Sequence, residues 1–98
     1  MKNRIQKIVF SIKPSGGKLL HTKLIIEDNL IKSCSLTGDF FIYPEESLEK
    51  LEDFLTNQKV TNLEKKMAGF IKRRKIVILG WSSKDFCKAL MENIDKQI

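Results

Sequence analysis

Hydrophobic and polar positions alternate through the first third of this chain and then fall into a helical rhythm. From Ile5 to Lys13, Ile8, Phe10 and Ile12 alternate with Lys7, Ser11 and Lys13, the period of two that predicts a half-buried strand. Pro14-Ser15-Gly16-Gly17 ends it with four turn residues in succession. Leu19 to Glu27 predicts a second strand, with Leu20, Leu24 and Ile26 on one face and His21 and Lys23 on the other. Asp28-Asn29 tolerates φ > 0 between two apolar runs, which predicts a tight turn and an antiparallel third strand from Leu30 to Thr37.

The rhythm changes across Thr37-Gly38-Asp39-Phe40-Phe41-Ile42-Tyr43-Pro44-Glu45-Glu46. Gly38 permits a sharp turn or a close backbone approach, and Phe40 and Phe41 point to opposite sides if the backbone is extended there. Pro44 fits a first helical position, with Glu45 and Glu46 on the positive end of the helix dipole. The spacing of Leu48, Leu51 and Leu55 predicts an acidic amphipathic helix over 44–55. Thr61-Asn62-Leu63-Glu64 has the pattern of a capping box, followed by Leu63, Met67, Phe70 and Ile71 on one helical face. Ile76 to Leu79 reads as a short extended run before Gly80-Trp81, and Ser82-Ser83-Lys84-Asp85 caps a last helix carrying Phe86, Leu90 and Ile94. Strands followed by helices predict an α+β fold, a three-stranded antiparallel meander with about three helices packed on one face, as a single domain over residues 1–98.

Composition narrows the class. With 42% hydrophobic and 31% charged residues the chain reads as globular, and no apolar run reaches the roughly 18–20 residues of a membrane span. No signal-peptide core opens it, so the expectation is a soluble, cytoplasmic protein. The net charge of +6 is banded: residues 1–23 hold six Lys/Arg and no acid, 24–55 hold two against eight acids, and 56–75 hold seven against one. Such banding fits a partner surface of mixed sign better than a polyanion such as nucleic acid, although folding could bring the two basic bands together; without an apolar span, no membrane partner is expected.

Candidate chemistry is sparse. There is no Ser/His/Asp set, no HExxH, no dinucleotide fingerprint and no Cys/His spacing that would hold a metal, so no catalytic or metal-binding residue is predicted. His21 reads as a solvated strand histidine, and Cys34 and Cys87 as small apolar side chains on separate elements. Gly16-Gly17-Lys18 is either a phosphate- or carboxylate-directed turn with Lys18 as its charge, or a hairpin loop followed by an exposed lysine. Asp39 either accepts backbone N–H groups in its turn or faces a basic partner. Lys72-Arg73-Arg74-Lys75 is either a cationic helix terminus or a docking patch. The residues by themselves thus indicate a binding or accessory domain.

Pro14-Ser15-Gly16-Gly17-Lys18-Leu19, Ile31-Lys32-Ser33, Leu36-Thr37-Gly38-Asp39-Phe40-Phe41, Pro44-Glu45-Glu46 and Leu48-Glu49-Lys50-Leu51-Glu52, in this order, resemble the accessory (C-terminal) domain of lipoate–protein ligases, which in archaea especially is a separate polypeptide. The likeness runs from about Ile12 to the end of the chain and is strongest through Leu55. The resemblance implies an accessory subunit, non-catalytic alone, that forms a heterodimer with a catalytic subunit and is required for activation of lipoate to lipoyl-AMP. Transfer to a lysine of a lipoyl-carrier domain follows. It implies no cofactor bound to this chain alone, with ATP, Mg and lipoate held in the complex. Gly16, Gly17 and Lys18 would face the nucleotide or acyl carboxylate, and Gly38, Asp39, Phe40 and Phe41 the catalytic chain. The family fold is also similar to that of iron–sulfur scaffold proteins. The alternatives are therefore a scaffold-like protein, or a small nucleic-acid-binding protein suggested by charge alone.

Overall fold

A computed structural model describes residues 5–96, with the side chains of 5–94. Three strands, β1 (Ile5–Ile12), β2 (Leu20–Glu27) and β3 (Leu30–Gly38), form an antiparallel sheet in the order β1-β2-β3. Asp28 and Asn29 link β2 to β3 with φ of 51° and 73°, the left-handed pair a two-residue hairpin requires. The ladder slips between Ile25 and Ile26, as at a β-bulge. Alternate residues of β1 and β2 face inward, and the slip lets Ile31 and Leu36 of β3 join them: Ile8, Phe10, Leu20, Thr22, Leu24, Ile26, Ile31 and Leu36 are buried.

Helices cover that inner face. α1 (Ser47–Leu55) packs against β3, α3 (Ser83–Lys96) against β1, and α2 (Leu63–Arg73) against α3. Aromatic pairs join the layers: Phe10 of β1 lies 5.9 Å from Phe86 of α3, and Phe54 of α1 stacks on Phe70 of α2 at 4.2 Å. Burial of a side chain such as Phe86, fully shielded here, stabilises the fold by about 1.5–3 kcal/mol. The expected α+β meander with helices on one face is the observed architecture.

Five local features depart from the sequence reading or extend it. The chain turns through a cis Tyr43–Pro44 peptide, Pro44 O accepts the Ser47 N–H at 2.9 Å, and α1 begins at Ser47 instead of Pro44. Thr61 caps nothing: Asn62 occupies the N-cap of α2 in the left-handed region, with no side-chain hydrogen bond. The Ser82–Asp85 box does form, with Ser82 N–H donating to Asp85 Oδ2 at 3.0 Å and Asp85 N–H to Ser82 Oγ at 3.2 Å. Residues 41–43 and 77–79 pair as a second antiparallel sheet, β4 (Phe41–Tyr43) with β5 (Val77–Leu79). Between α2 and β5 the chain turns at Lys75, whose φ is 54°; its N–H donates to Lys72 O at 3.2 Å and that of Ile76 to Ile71 O at 3.0 Å, the pattern of a Schellman cap.

Candidate functional site

Three turns meet at one corner of the sheet. Gly17 N–H closes the first on Pro14 O at 2.7 Å, with Gly16 at φ 73°, as in a type II turn. Lys18 N–H then donates to Gly80 O at 2.9 Å, and Asp39 N–H to Leu19 O at 3.0 Å, so β1–β2, β3–β4 and β5–α3 are joined by backbone. The approach leaves no space for side chains. A Cβ on Gly38 would stand 2.1 Å from Leu19 O, and one on Gly80 2.7 Å from Lys18 Cβ, with both glycines at positive φ. Trp81 is buried under the corner, edge-on to Phe40 at 5.4 Å.

Gly16, Gly17, Lys18, Gly38, Asp39 and Phe40 thus fall at one place, with Phe41 continuing outward into β4. Their environments differ. The amides of Gly17 and Lys18 are committed to backbone carbonyls, so the turn's capacity for an anion lies in the exposed Lys18 side chain. The Asp39 side chain is also exposed, while Phe40 is half-buried against Trp81. Gly80 and Trp81 completed the corner without being predicted as site residues; their signal was a Gly-Trp pair closing a short extended run.

Beside the corner, β4 and β5 divide their residues between two faces. Ile42 pairs with Ile78, and both pack on the core. Phe41 pairs with Leu79 and Tyr43 with Val77 on the opposite face, where the four are between 48% and 56% exposed. The Phe41 and Tyr43 rings lie nearly parallel, 6.5 Å apart. Tyr43, Val77 and Leu79 were missed as candidates, although both runs place apolar residues at i and i+2.

The remaining candidates separate from this place. Ser11 Oγ and His21 Nδ1 are 2.5 Å apart on the open face of the three-stranded sheet, a cross-strand pair that the β1–β2 register creates. Burial, and then the Glu52 charge, pushes the Cys34 thiol up to about 12; burial and Glu64 do the same to Cys87. Protonated thiols on two different elements lend the iron–sulfur alternative no support. The four side chains of 72–75 are exposed, with the Arg74 guanidinium 5.4 Å from the Phe70 ring centre. A groove of about 510 Å³ lies elsewhere, between the start of α2 and α3, bordered by Val60, Leu63 and Met91. Among the described residues no three His, Cys, Asp or Glu cluster as metal ligands would, and no helix is long and apolar enough to cross a membrane.

No protein-family model matches the chain. Lipoate-protein ligase A subunit 2 of Thermoplasma acidophilum is 31% identical over 72 residues, which cover 74% of this chain and 76% of that protein. The chain belongs to the lipoate–protein ligase A subunit 2 family. A solved structure of an archaeal lipoylation system, described as a bi-partite lipoate protein ligase and its E2 lipoyl domain from Thermoplasma acidophilum, contains a chain of the same fold. It superposes with a TM-score of 0.70 at 25% identity, covering 91% of this chain and 97% of that one. Membership of that family supports the reading of this chain as the accessory subunit of a bipartite lipoate–protein ligase.

Proposed function

We propose that this subunit is required, with its catalytic partner, for the ATP-dependent activation of lipoate to lipoyl-AMP, ahead of transfer to a carrier-domain lysine. The observation that carries the reading is the corner, where Lys18 stands exposed on three turns locked together by Gly17, Gly38 and Gly80. Activation gathers the negative charge of a carboxylate and a triphosphate in one place. A rigid edge carrying an ammonium can stabilise that charge and exclude water when it closes over the reacting groups. ATP, Mg²⁺ and lipoate would then be held in the complex with the catalytic chain. Lys18 supplies charge, and Asp39 and Phe41 shape the edge that meets the partner. The transfer step, in which the adenylate is already formed, has less need of this charge.

Lipoate-dependent ATP–pyrophosphate exchange tests the proposal. This chain alone should give none, and adding the catalytic chain from the same genome should produce it. Lys18→Ala should lower exchange at least tenfold with an unchanged melting temperature, and leave transfer from preformed lipoyl-AMP close to wild type. Exchange by the isolated chain, or equal loss in both steps, would overturn the assignment.

A further inference from the structure

From the outer face of the β4–β5 sheet we infer that Phe41, Tyr43, Val77 and Leu79 form the seat of the catalytic subunit; the inference rests on the two-chain reading above. Their exposures of 56%, 48%, 50% and 51% concentrate half of the exposed large apolar side chains among the described residues on two three-residue strands. A two-stranded ribbon this short is not stable by itself, and only its inner face, Ile42 and Ile78, is anchored to the core. The outer face is left to water, which is the mark of a surface that becomes covered.

Area and charge select the occupant. The four side chains offer on the order of 400 Å², against the roughly 800 Å² per partner that a stable interface buries. Two copies meeting on this ribbon alone would fall short. A larger chain that continues past Phe41 and Leu79 onto Asp39 and Lys18 at the corner gains the difference, and reaches the candidate site while doing so. The rim is polarised: Asp39, Glu45 and Glu46 flank β4 in the chain, whereas Arg74 and Lys75 precede β5 and Lys18 lies against Gly80 at its end. The fitting partner surface is apolar at its centre, basic where it meets β4 and acidic where it meets β5.

Binding to the purified catalytic chain should be measured by calorimetry for Tyr43→Thr/Val77→Thr and for Leu79→Thr, which keep strand-favouring side chains, beside Val9→Thr on the open face of the other sheet. Affinity should fall at least tenfold in the first two and hold within twofold in the control, with melting temperatures close to wild type. Nitration of Tyr43, the chain's one tyrosine, supplies a readout free of substitution: the catalytic chain should slow it at least fivefold. Wild-type affinity in the face variants together with unprotected Tyr43 would overturn the seat and leave the two-chain reading standing. Failure of the wild-type chains to associate would overturn both. Dimerisation of the isolated chain that the face variants abolish, with Tyr43 unprotected by the catalytic chain, would assign the face to a second copy.

Discussion

Cys34 and Cys87 show how burial acts on single residues. Both thiols are held protonated, pushed from an ordinary 9.0 up to about 12 by burial first and a neighbouring glutamate second. In the unfolded chain they lose their protons above about pH 9 while the folded protein still holds them, so below that pH they contribute no pH dependence. Through the window from about 9 to 12 the folded state binds more protons, and stability falls as pH rises. The melting temperature of the wild type should therefore drop more steeply across this window than that of Cys34→Ala or Cys87→Ala; parallel slopes would refute the assignment. The sequence had already marked both cysteines as small apolar side chains on separate elements. It did not locate the carboxylates beside them, because Cys34 lies 18 positions before Glu52 and Cys87 lies 23 after Glu64.

At the scale of elements, the two edges of the main sheet are treated differently. On β3, Glu52 Oε2 accepts the Leu36 N–H at 2.8 Å, Gln58 O accepts that of Ile31 at 2.9 Å, and Ile31 O accepts that of Asn57. Because the amides of Leu36 and Ile31 point away from β2, the residues opposite them, Thr22 and Ile26, turn their amides to β1; the amides of Lys7 and Val9 then fall on the outer edge of β1. Among the described residues no other backbone group pairs with that edge. Hydrogen exchange should be at least tenfold faster at Lys7 and Val9 than at Leu36 and Ile31, and Glu52→Ala should bring Leu36 toward the fast pair at a cost of about 1–3 kcal/mol. Uniform protection of all four would contradict this account. The first three strands and all three helices were legible because their periods are local. The β4–β5 ribbon was not, since Phe41 meets Leu79 across 38 positions and nothing in three residues announces a partner. Pro44 misplaced the start of α1 for a related reason, its carbonyl serving a turn that the composition Pro-Glu-Glu shares with a helix start.

Over the whole molecule, folding collects what the sequence scatters. Gly16-Gly17-Lys18 and Gly38-Asp39-Phe40 stand together, and the third wall, Gly80-Trp81, comes from the far end of the chain and binds them by a backbone contact that local patterns do not reveal. That wall carries the chain's one tryptophan, buried, with an indole Nε1 that has no hydrogen-bond partner among the described residues. Its surroundings are the rings of Phe40 and Phe86, at 5.4 Å and 6.1 Å. The corner therefore contains its own fluorophore, needing no label. Emission from the native chain should be blue and shielded from acrylamide. A methyl at Gly17, which would stand 2.3 Å from Gly80 O, should prise the turns apart. Gly17→Ala should then shift the emission to the red and admit the quencher while the far-ultraviolet circular dichroism is kept; an unchanged spectrum would show that the corner yields elsewhere. Under the proposed function, adding the catalytic chain and substrates should change the same emission, and a stopped-flow trace would time that change.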